Sequence, residues 1–323
     1  MRAVVLRRHG GPEVLEVVDR PDPEPGPGEL LVDVGAAGVN FIDVYHRTGA
    51  YPVELPFVLG SEGAGTVAAV GEGVLGIEPG DRVAWAMRPG AYAQRAVVPA
   101  AVAVPVPAGV PDEDAAALLL QGMTAHYLTH STYPVQPGDT VLVHAGAGGT
   151  GQLITQFVRL RGGDVIATVS TEEKERLARE AGAAEVIRYD RKDVVEEVRR
   201  ITRGAGVAAV YDGVGAATFD ASLASLRPRG MLALFGASSG PVPPVDPQRL
   251  NFGGSLFLTR PTLAHYMASR EELLERSSAV LEGLASGDLR VRVGGRYGLD
   301  EVGRAHEDLE SRRTTGKLIV LPD

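Results

Sequence analysis

Thr140-Val-Leu-Val-His-Ala-Gly-Ala-Gly-Gly-Thr-Gly151 is the stretch on which the fold turns. Val141–His144 predicts a buried strand, the glycines a tight turn, and the amphipathic run Gly149–Arg161 a helix. Uncapped amides at such a helix start, with the helix dipole behind them, favour an anion, and glycines let a diphosphate approach the backbone. The same glycines could serve only tight strand–helix packing. The order of elements downstream decides for the ligand.

Past the turn, strands at Val165–Val169, Val186–Ile187, Val207–Tyr211 and Met231–Phe235 alternate with helices at Glu172–Glu180, Lys192–Thr202 and Thr218–Leu226. That alternation calls for a parallel sheet with right-handed crossovers, an α/β doubly wound domain with the glycine turn in its first unit. Upstream the pattern differs. Short β-like runs (Ala3–Leu6, Leu15–Val18, Leu30–Val34, Thr66–Val70, Arg82–Ala86, Ala96–Val98), broken by Gly and Pro, predict a small twisted β body, with Pro21–Pro27 as a loop. Helices at Asp112–Leu120 and Met123–Ser131 link the two patterns. After Pro261 come helices at Arg270–Ser286 and Asp300–Glu310 and a strand at Lys317–Leu321. This tail is too small to fold alone and is expected to return to the β body, making that body discontinuous.

The 323 residues exceed the roughly 250–300 at which single cores stop growing, which fits two domains. An excess of 41 acidic over 32 basic residues, net charge −9, disfavours nucleic acid or an anionic membrane as a partner. Apolar runs such as Ala115–Leu120 fall far short of the roughly 20 residues of a membrane helix, and Met1–Leu6 reads as a strand rather than a signal segment, so a cytoplasmic protein is expected. Cysteine is absent, which removes thiolate metal sites, disulfides and thiol nucleophiles together.

The turn fits Ala145-x-x-Gly148-x-x-Gly151 better than the three-glycine fingerprint, so the dinucleotide must be read from the end of the second strand. A site for NAD places an acidic residue there to hold the ribose hydroxyls. Here Ser170 and Thr171 are followed by Glu172, Glu173 and Lys174. Small hydroxyls beside an ammonium suit a 2′-phosphate, so NADPH is favoured over NADH, although Glu172 and Glu173 would repel a phosphate if they faced it. Ser170 with Glu173 also reads as a helix capping box, which needs no ligand.

Several motifs in one order now resemble a family: His9-Gly-Gly-Pro-Glu-Val-Leu15, Gly38-Val-Asn-Phe-Ile-Asp-Val-Tyr45, Gly60-Ser-Glu-Gly-Ala-Gly65, Val70-Gly71, Gly80-Asp-Arg-Val83, Gly122-Met-Thr124, the turn itself, Tyr211-Asp-Gly-Val-Gly215, Phe235-Gly236 and Thr315-Gly-Lys317. Over essentially the whole chain they resemble the zinc-independent quinone oxidoreductases, the zeta-crystallin-like branch of the medium-chain dehydrogenase/reductases. The resemblance implies a GroES-like catalytic domain at 1–121 and 260–323 and a Rossmann NADPH-binding domain at 122–259, often in a homodimer. It implies cofactor contacts at Asn40, Tyr45, Tyr127, Gly149, Thr150, Ser170, Lys174, Tyr189, Phe235, Ser238, Thr259, Arg260 and Arg312, and through its Phe235-Gly236 motif at Gly236, to which the turn and strand-end readings add Ala145, Gly148, Gly151 and Thr171. Zinc-dependent relatives use Cys and the His of a Gly-His-Glu motif, whereas this chain reads Gly60-Ser61-Glu62. His126 and His130 lie one helical turn apart without a third ligand, which points to a surface or packing role.

Without a metal ion, charge on an acceptor oxygen has to be stabilised by hydrogen bonds, which favours acceptors that delocalise it, quinones and α,β-unsaturated carbonyls. Tyr45 and Tyr51 are the candidate acceptor-side groups, Asn40 orients cofactor or substrate, and Gln121 and Thr124 stand near the nicotinamide. Either tyrosine could instead be a packing residue, Tyr51 closing a loop at Ala50-Tyr-Pro52 and Tyr45 filling core. Reduction of enal or enone double bonds is the alternative activity. A non-catalytic NADPH-binding regulatory or structural protein is the alternative of another class, and a methyltransferase would leave the β body unexplained.

Overall fold

The computed structural model describes residues 1–311 and 313–322 and divides into two compact units, residues 1–123 with 267–323 and residues 124–266. Arg312, one of the expected cofactor contacts, lies outside the described residues.

The first unit opens with β1 (Arg2–Leu6) and β2 (Leu15–Asp19), followed by β3 (Glu29–Val39), α1 (Phe41–Thr48), β4 (Phe57–Val58), β5 (Glu62–Val70), β6 (Arg82–Ala86), β7 (Arg95–Pro99) and β8 (Val104–Pro105). β1 pairs antiparallel with β2 and β4, and β3 pairs antiparallel with β5 and β7. β3 runs five residues past Val34, where the sequence pattern ends it, because its last stretch is small for a reason of packing. A Cβ on Gly38 would lie 2.3 Å from Glu62 Oε2 and 2.4 Å from the Ala116 carbonyl oxygen. Glycine there lets buried polar groups crowd against the backbone.

α2 (Asp112–Tyr127) is one helix, not the two that the sequence suggests. Gly122 weakens the local helix signal, but Val280 lies so close that a Cβ would meet its Cγ1 at 2.6 Å, so packing overrides propensity. The helix widens into a π segment at Leu128–Thr132, a distortion often found beside functional sites.

In the second unit β9 (Thr140–Val143), α3 (Gly149–Leu160), β10 (Asp164–Val169), α4 (Glu172–Glu180), β11 (Glu185–Arg188), α5 (Val194–Ile201), β12 (Val207–Asp212), α6 (Phe219–Ser225), β13 (Leu226–Leu234), α7 (Gln248–Phe252) and β14 (Phe257–Thr259) succeed one another. Their sheet is parallel throughout, in the order β11-β10-β9-β12-β13-β14. Leu142, Ile166, Ile187, Val210 and Leu232 are among the residues that build its core, and α3 buries Leu153, Ile154, Phe157 and Val158 on one face. Successive strands step from β9 outward to β11, then from β12 outward to β14, so strand order reverses between β9 and β12.

The chain then returns to the first unit as α8 (Arg270–Ser286), β15 (Val293–Gly298), α9 (Val302–Glu310) and β16 (Lys317–Leu321). β16 pairs antiparallel with β3, Leu318 opposite Val39, and completes the order β15-β16-β3-β5-β6-β8. The sequence pattern does not announce β15 or β14. One is rich in glycine and the other three residues long, and neither shows a period.

Candidate functional site

In the second unit, parallel pairing puts every carboxyl strand end on one edge of the sheet, the edge where doubly wound folds bind ligands. Ala145–Gly151 follows β9, Ser170 and Thr171 follow β10, Tyr189 follows β11, Phe235, Gly236 and Ser238 follow β13, and Thr259 and Arg260 end and follow β14. Residues scattered over more than a hundred positions thus share one edge. Thr124 and Tyr127 stand on α2 instead. Tyr127 is 1% exposed, its ring stacked on Tyr266 at 4.2 Å and 11°, and burial raises its phenol far above the ordinary value.

The glycines of the turn divide their work. A Cβ on Gly146 would meet that of Ala167 at 2.6 Å, and one on Gly151 would meet the Ala145 carbonyl oxygen at 2.4 Å, so these two serve strand–helix packing. Gly148 has only that oxygen near it, at 3.2 Å, and α3 begins there without a side-chain cap. The first-turn amides of α3 are therefore left for an anion. Ala145 itself holds φ 52°, a left-handed conformation that an L residue adopts at a cost.

At the end of β10 the cap of α4 is Thr171, whose hydroxyl accepts the Lys174 amide at 3.2 Å, and not Ser170 as the sequence suggests. Glu172 and Glu173 are exposed, Lys174 is half-buried, and Tyr189 is 52% exposed. Among the described residues, the two that directly follow β10 are hydroxyl-bearing, Ser170 and Thr171, and not a carboxylate, a set that fits a 2′-phosphate.

In the first unit Asn40 caps α1 and Tyr45 stands on it. Asp43 and Arg47, one turn apart, are 0% and 2% exposed, and both are fully partnered. Asp43 accepts the Asn40 amide (2.9 Å), the Tyr92 hydroxyl (3.0 Å), and both the amide (2.9 Å) and the hydroxyl (2.7 Å) of Ser61. Burial nevertheless outweighs these bonds and pushes its carboxyl up to about 6. Arg47 donates to the Gly10 carbonyl (3.2 Å) and pairs with Glu310 (2.8 Å). With its inner face anchored at both ends, α1 presents Tyr45, whose ring lies 5.0 Å from that of Tyr51, the latter 41% exposed.

Asn40 is 4% exposed, and its amide hydrogens are spent on Glu62 (2.9 Å) and the Gly38 carbonyl (3.2 Å) while its oxygen accepts from Lys317 (2.7 Å). Lys317 also pairs with Glu62, whose other oxygen accepts the Leu120 amide. Lys317, Asp43 and Tyr92 carry no site signal in the sequence. An acidic and a basic residue some 255 positions apart signal nothing until β16 lies beside β3. Gln121 is half-buried on α2, and its Oε1 is a buried acceptor with no hydrogen-bond partner among the described residues.

These donors do not fit the zinc ion of the metal-dependent relatives. Ser61 gives its hydroxyl to Asp43, both oxygens of Glu62 are engaged, and no cysteine exists. His126 and His130 stack on each other at 4.0 Å and 11° with Phe157 at their edges, a packing arrangement.

Residues 26–108 match the family described as alcohol dehydrogenase GroES-like domain and residues 149–279 that described as zinc-binding dehydrogenase. The chain is 45% identical to a quinone oxidoreductase of Pseudomonas aeruginosa over 323 residues, 99% of each protein. It is 42% identical to a 2-haloacrylate reductase of a Burkholderia species, over 99% of this chain and 98% of that one. A mycobacterial structure solved in complex with NADPH superposes with a TM-score of 0.97 at 54% identity, covering 100% of both chains.

Proposed function

The chain belongs to the zinc-independent quinone oxidoreductases of the medium-chain dehydrogenase/reductase superfamily, and from that membership we infer that it is an NADPH-dependent enzyme that reduces quinones. The observation that carries this reading is the pairing of an uncapped glycine helix start with a second strand end that offers hydroxyls and an ammonium in place of a carboxylate.

When bound, NADPH supplies the hydride. The α3 amides, with Ala145, Gly148, Gly149, Thr150 and Gly151, would hold its diphosphate, while Ser170, Thr171, Lys174 and Tyr189 would hold the 2′-phosphate. Phe235, Gly236, Ser238, Thr259 and Arg260 extend this cradle along the strand ends. Gln121 Oε1 would accept from a ligand amide, and in the second unit Thr124 and Tyr127 would stand near the nicotinamide. Tyr45 and Tyr51 would donate to the acceptor oxygen and stabilise negative charge on it. Asn40, its hydrogens spent, positions α1 rather than donating to substrate.

A second reading has its own support in the 2-haloacrylate reductase relative: activated double bonds are reduced at the same place, since the intermediate there is also a delocalised anion. The test monitors the absorbance of NADPH with a panel of 1,2- and 1,4-quinones against short enones. Oxidation by quinones that persists under chelator supports the reading. Activity lost with chelator and restored by zinc removes it.

No described helix is long and apolar enough to cross a membrane. We place the enzyme in the cytoplasm, where its reductant is held, as a homodimer. The edge strand β14, with Phe257 56% and nearby Phe252 84% exposed, supports the dimer, which sedimentation tests.

A further inference from the structure

His144 follows β9 and Asp212 ends β12, the two neighbouring strands at which sheet order reverses. Between them runs an unbroken chain of buried polar groups. Asp212, 0% exposed, accepts the amides of Val214 (2.8 Å) and Gly215 (3.0 Å) on one oxygen and the hydroxyls of Thr218 and Ser222 (both 2.7 Å) on the other. Ser222 gives its only hydrogen to Asp212, so its oxygen can only accept from His144 Nε2 at 3.0 Å. His144 Nδ1 is then the acceptor for the Thr168 hydroxyl at 2.9 Å. One tautomer satisfies every member, and the order Thr168, His144, Ser222, Asp212 is directional. Burial depresses the basicity of His144 and keeps the ring neutral, as this arrangement needs.

The two strand-end members of this chain, His144 and Asp212, are followed by backbone that cannot relax without consequence. On one side the next residue is Ala145 at φ 52°, whose carbonyl accepts the Gly148 amide at 2.9 Å and opens the phosphate turn. On the other, Asp212 holds the loop Gly213-Val214-Gly215, where a Cβ on Gly213 would come within 2.8 Å of the Phe235 ring. A side chain that served packing alone could be apolar at this depth. Four polar groups are buried instead, satisfied only together.

We propose that His144, Ser222 and Asp212 are positioning residues that lock the phosphate turn to the loop after β12, so that a dinucleotide meets both in one register. None of them belongs to the cradle assigned to the cofactor above. The idea rests on the reading of this edge as an NADPH site. It requires that breaking the chain weaken a ligand spanning both elements while sparing one that reaches only the end of β10.

Ser222→Ala cuts the link by removing one oxygen, and His144→Leu removes it whole. His144→Gln retains a donor toward Ser222. Titration of each variant with NADPH and with adenosine 2′-monophosphate is expected to show NADPH weakened about tenfold in Ser222→Ala and in His144→Leu. The monophosphate should stay within about twofold, and His144→Gln should recover most of the loss. The KM for quinone should not move. Should His144→Leu fail to fold, Ser222→Ala carries the comparison alone. Equal weakening of both ligands, or full NADPH affinity in folded Ser222→Ala, overturns the proposal. Wild-type protein that binds neither ligand overturns the cofactor reading itself, a distinct failure.

Discussion

Lys317 and Glu62 meet at 2.7 Å with neither side chain exposed, and the Asn40 amide bridges them, accepting from the one and donating to the other. This triad ties Lys317 of β16 to Glu62, which opens β5, and to Asn40, which caps the helix that carries Tyr45. Its position explains why glycine stands at residue 38 and why the closing Thr315-Gly-Lys317 belongs with motifs near the start.

Removing one member strands a charge. Lys317→Met leaves Glu62 buried and uncompensated and should cost roughly 3–5 kcal/mol in urea unfolding. Adding Glu62→Gln to it should restore much of that loss, because two neutral groups of similar volume are far cheaper than one orphaned ion. Strictly additive losses in this cycle would show that the two side chains do not act as a pair.

Asp43 gives the fold a pH dependence of unusual sign for a carboxyl. Its folded value is raised from the ordinary 3.8 to about 6 by burial, so between those limits the folded protein keeps a proton that the unfolded chain has lost. The stabilisation is whole below 3.8 and disappears as pH climbs past about 6, a change of roughly 3 kcal/mol. Both hydroxyl partners, Tyr92 and Ser61, can reverse to accept from the protonated form. Subtracting the stability of Asp43→Asn from that of wild type across pH 4–7 isolates the effect, and a flat or rising difference contradicts it.

How much of this is legible in the sequence depends on the range of each signal. The glycine turn, the α/β alternation and the strand ends that carry Ser170, Tyr189 and Phe235 are local patterns in an order the sheet preserves, so they can be read directly. The apparent helix break at Gly122 misleads because Val280, far along the chain, fills the space that a side chain there would need. The cap at Thr171 reads one residue early because Ser170 and Glu173 satisfy the same spacing rule. Lys317 with Glu62, and His144 with Asp212, are long-range pairs of common residues. Nothing in a single sequence marks them before strand order is known.

The 2′-phosphate reading makes a prediction about discrimination. Lys174→Ala should raise the KM for NADPH about tenfold or more, the worth of a charge-assisted contact, while leaving that for NADH nearly unchanged. Thr171→Ala should do less and should also lower stability by about 1 kcal/mol, since its hydroxyl caps α4. Equal effects of Lys174→Ala on both cofactors would take it out of the phosphate site.

Tyr45 separates the chemical role from the architectural one. Its ring packs 5.0 Å from Tyr51 and 6.2 Å from Phe41, so Tyr45→Phe keeps the packing and removes only the hydroxyl. If that hydroxyl meets charge growing on the acceptor oxygen, kcat should fall about tenfold, one hydrogen bond's worth, with KM for NADPH unmoved. The loss should be larger for an enone than for a quinone, because an enolate spreads its charge over fewer atoms than a hydroquinone anion and leans more on the donor. Tyr51→Phe should add to the loss only where both rings face the same oxygen. Full turnover of Tyr45→Phe with both substrate classes would assign the residue to packing, and water would then be the group that protonates the product.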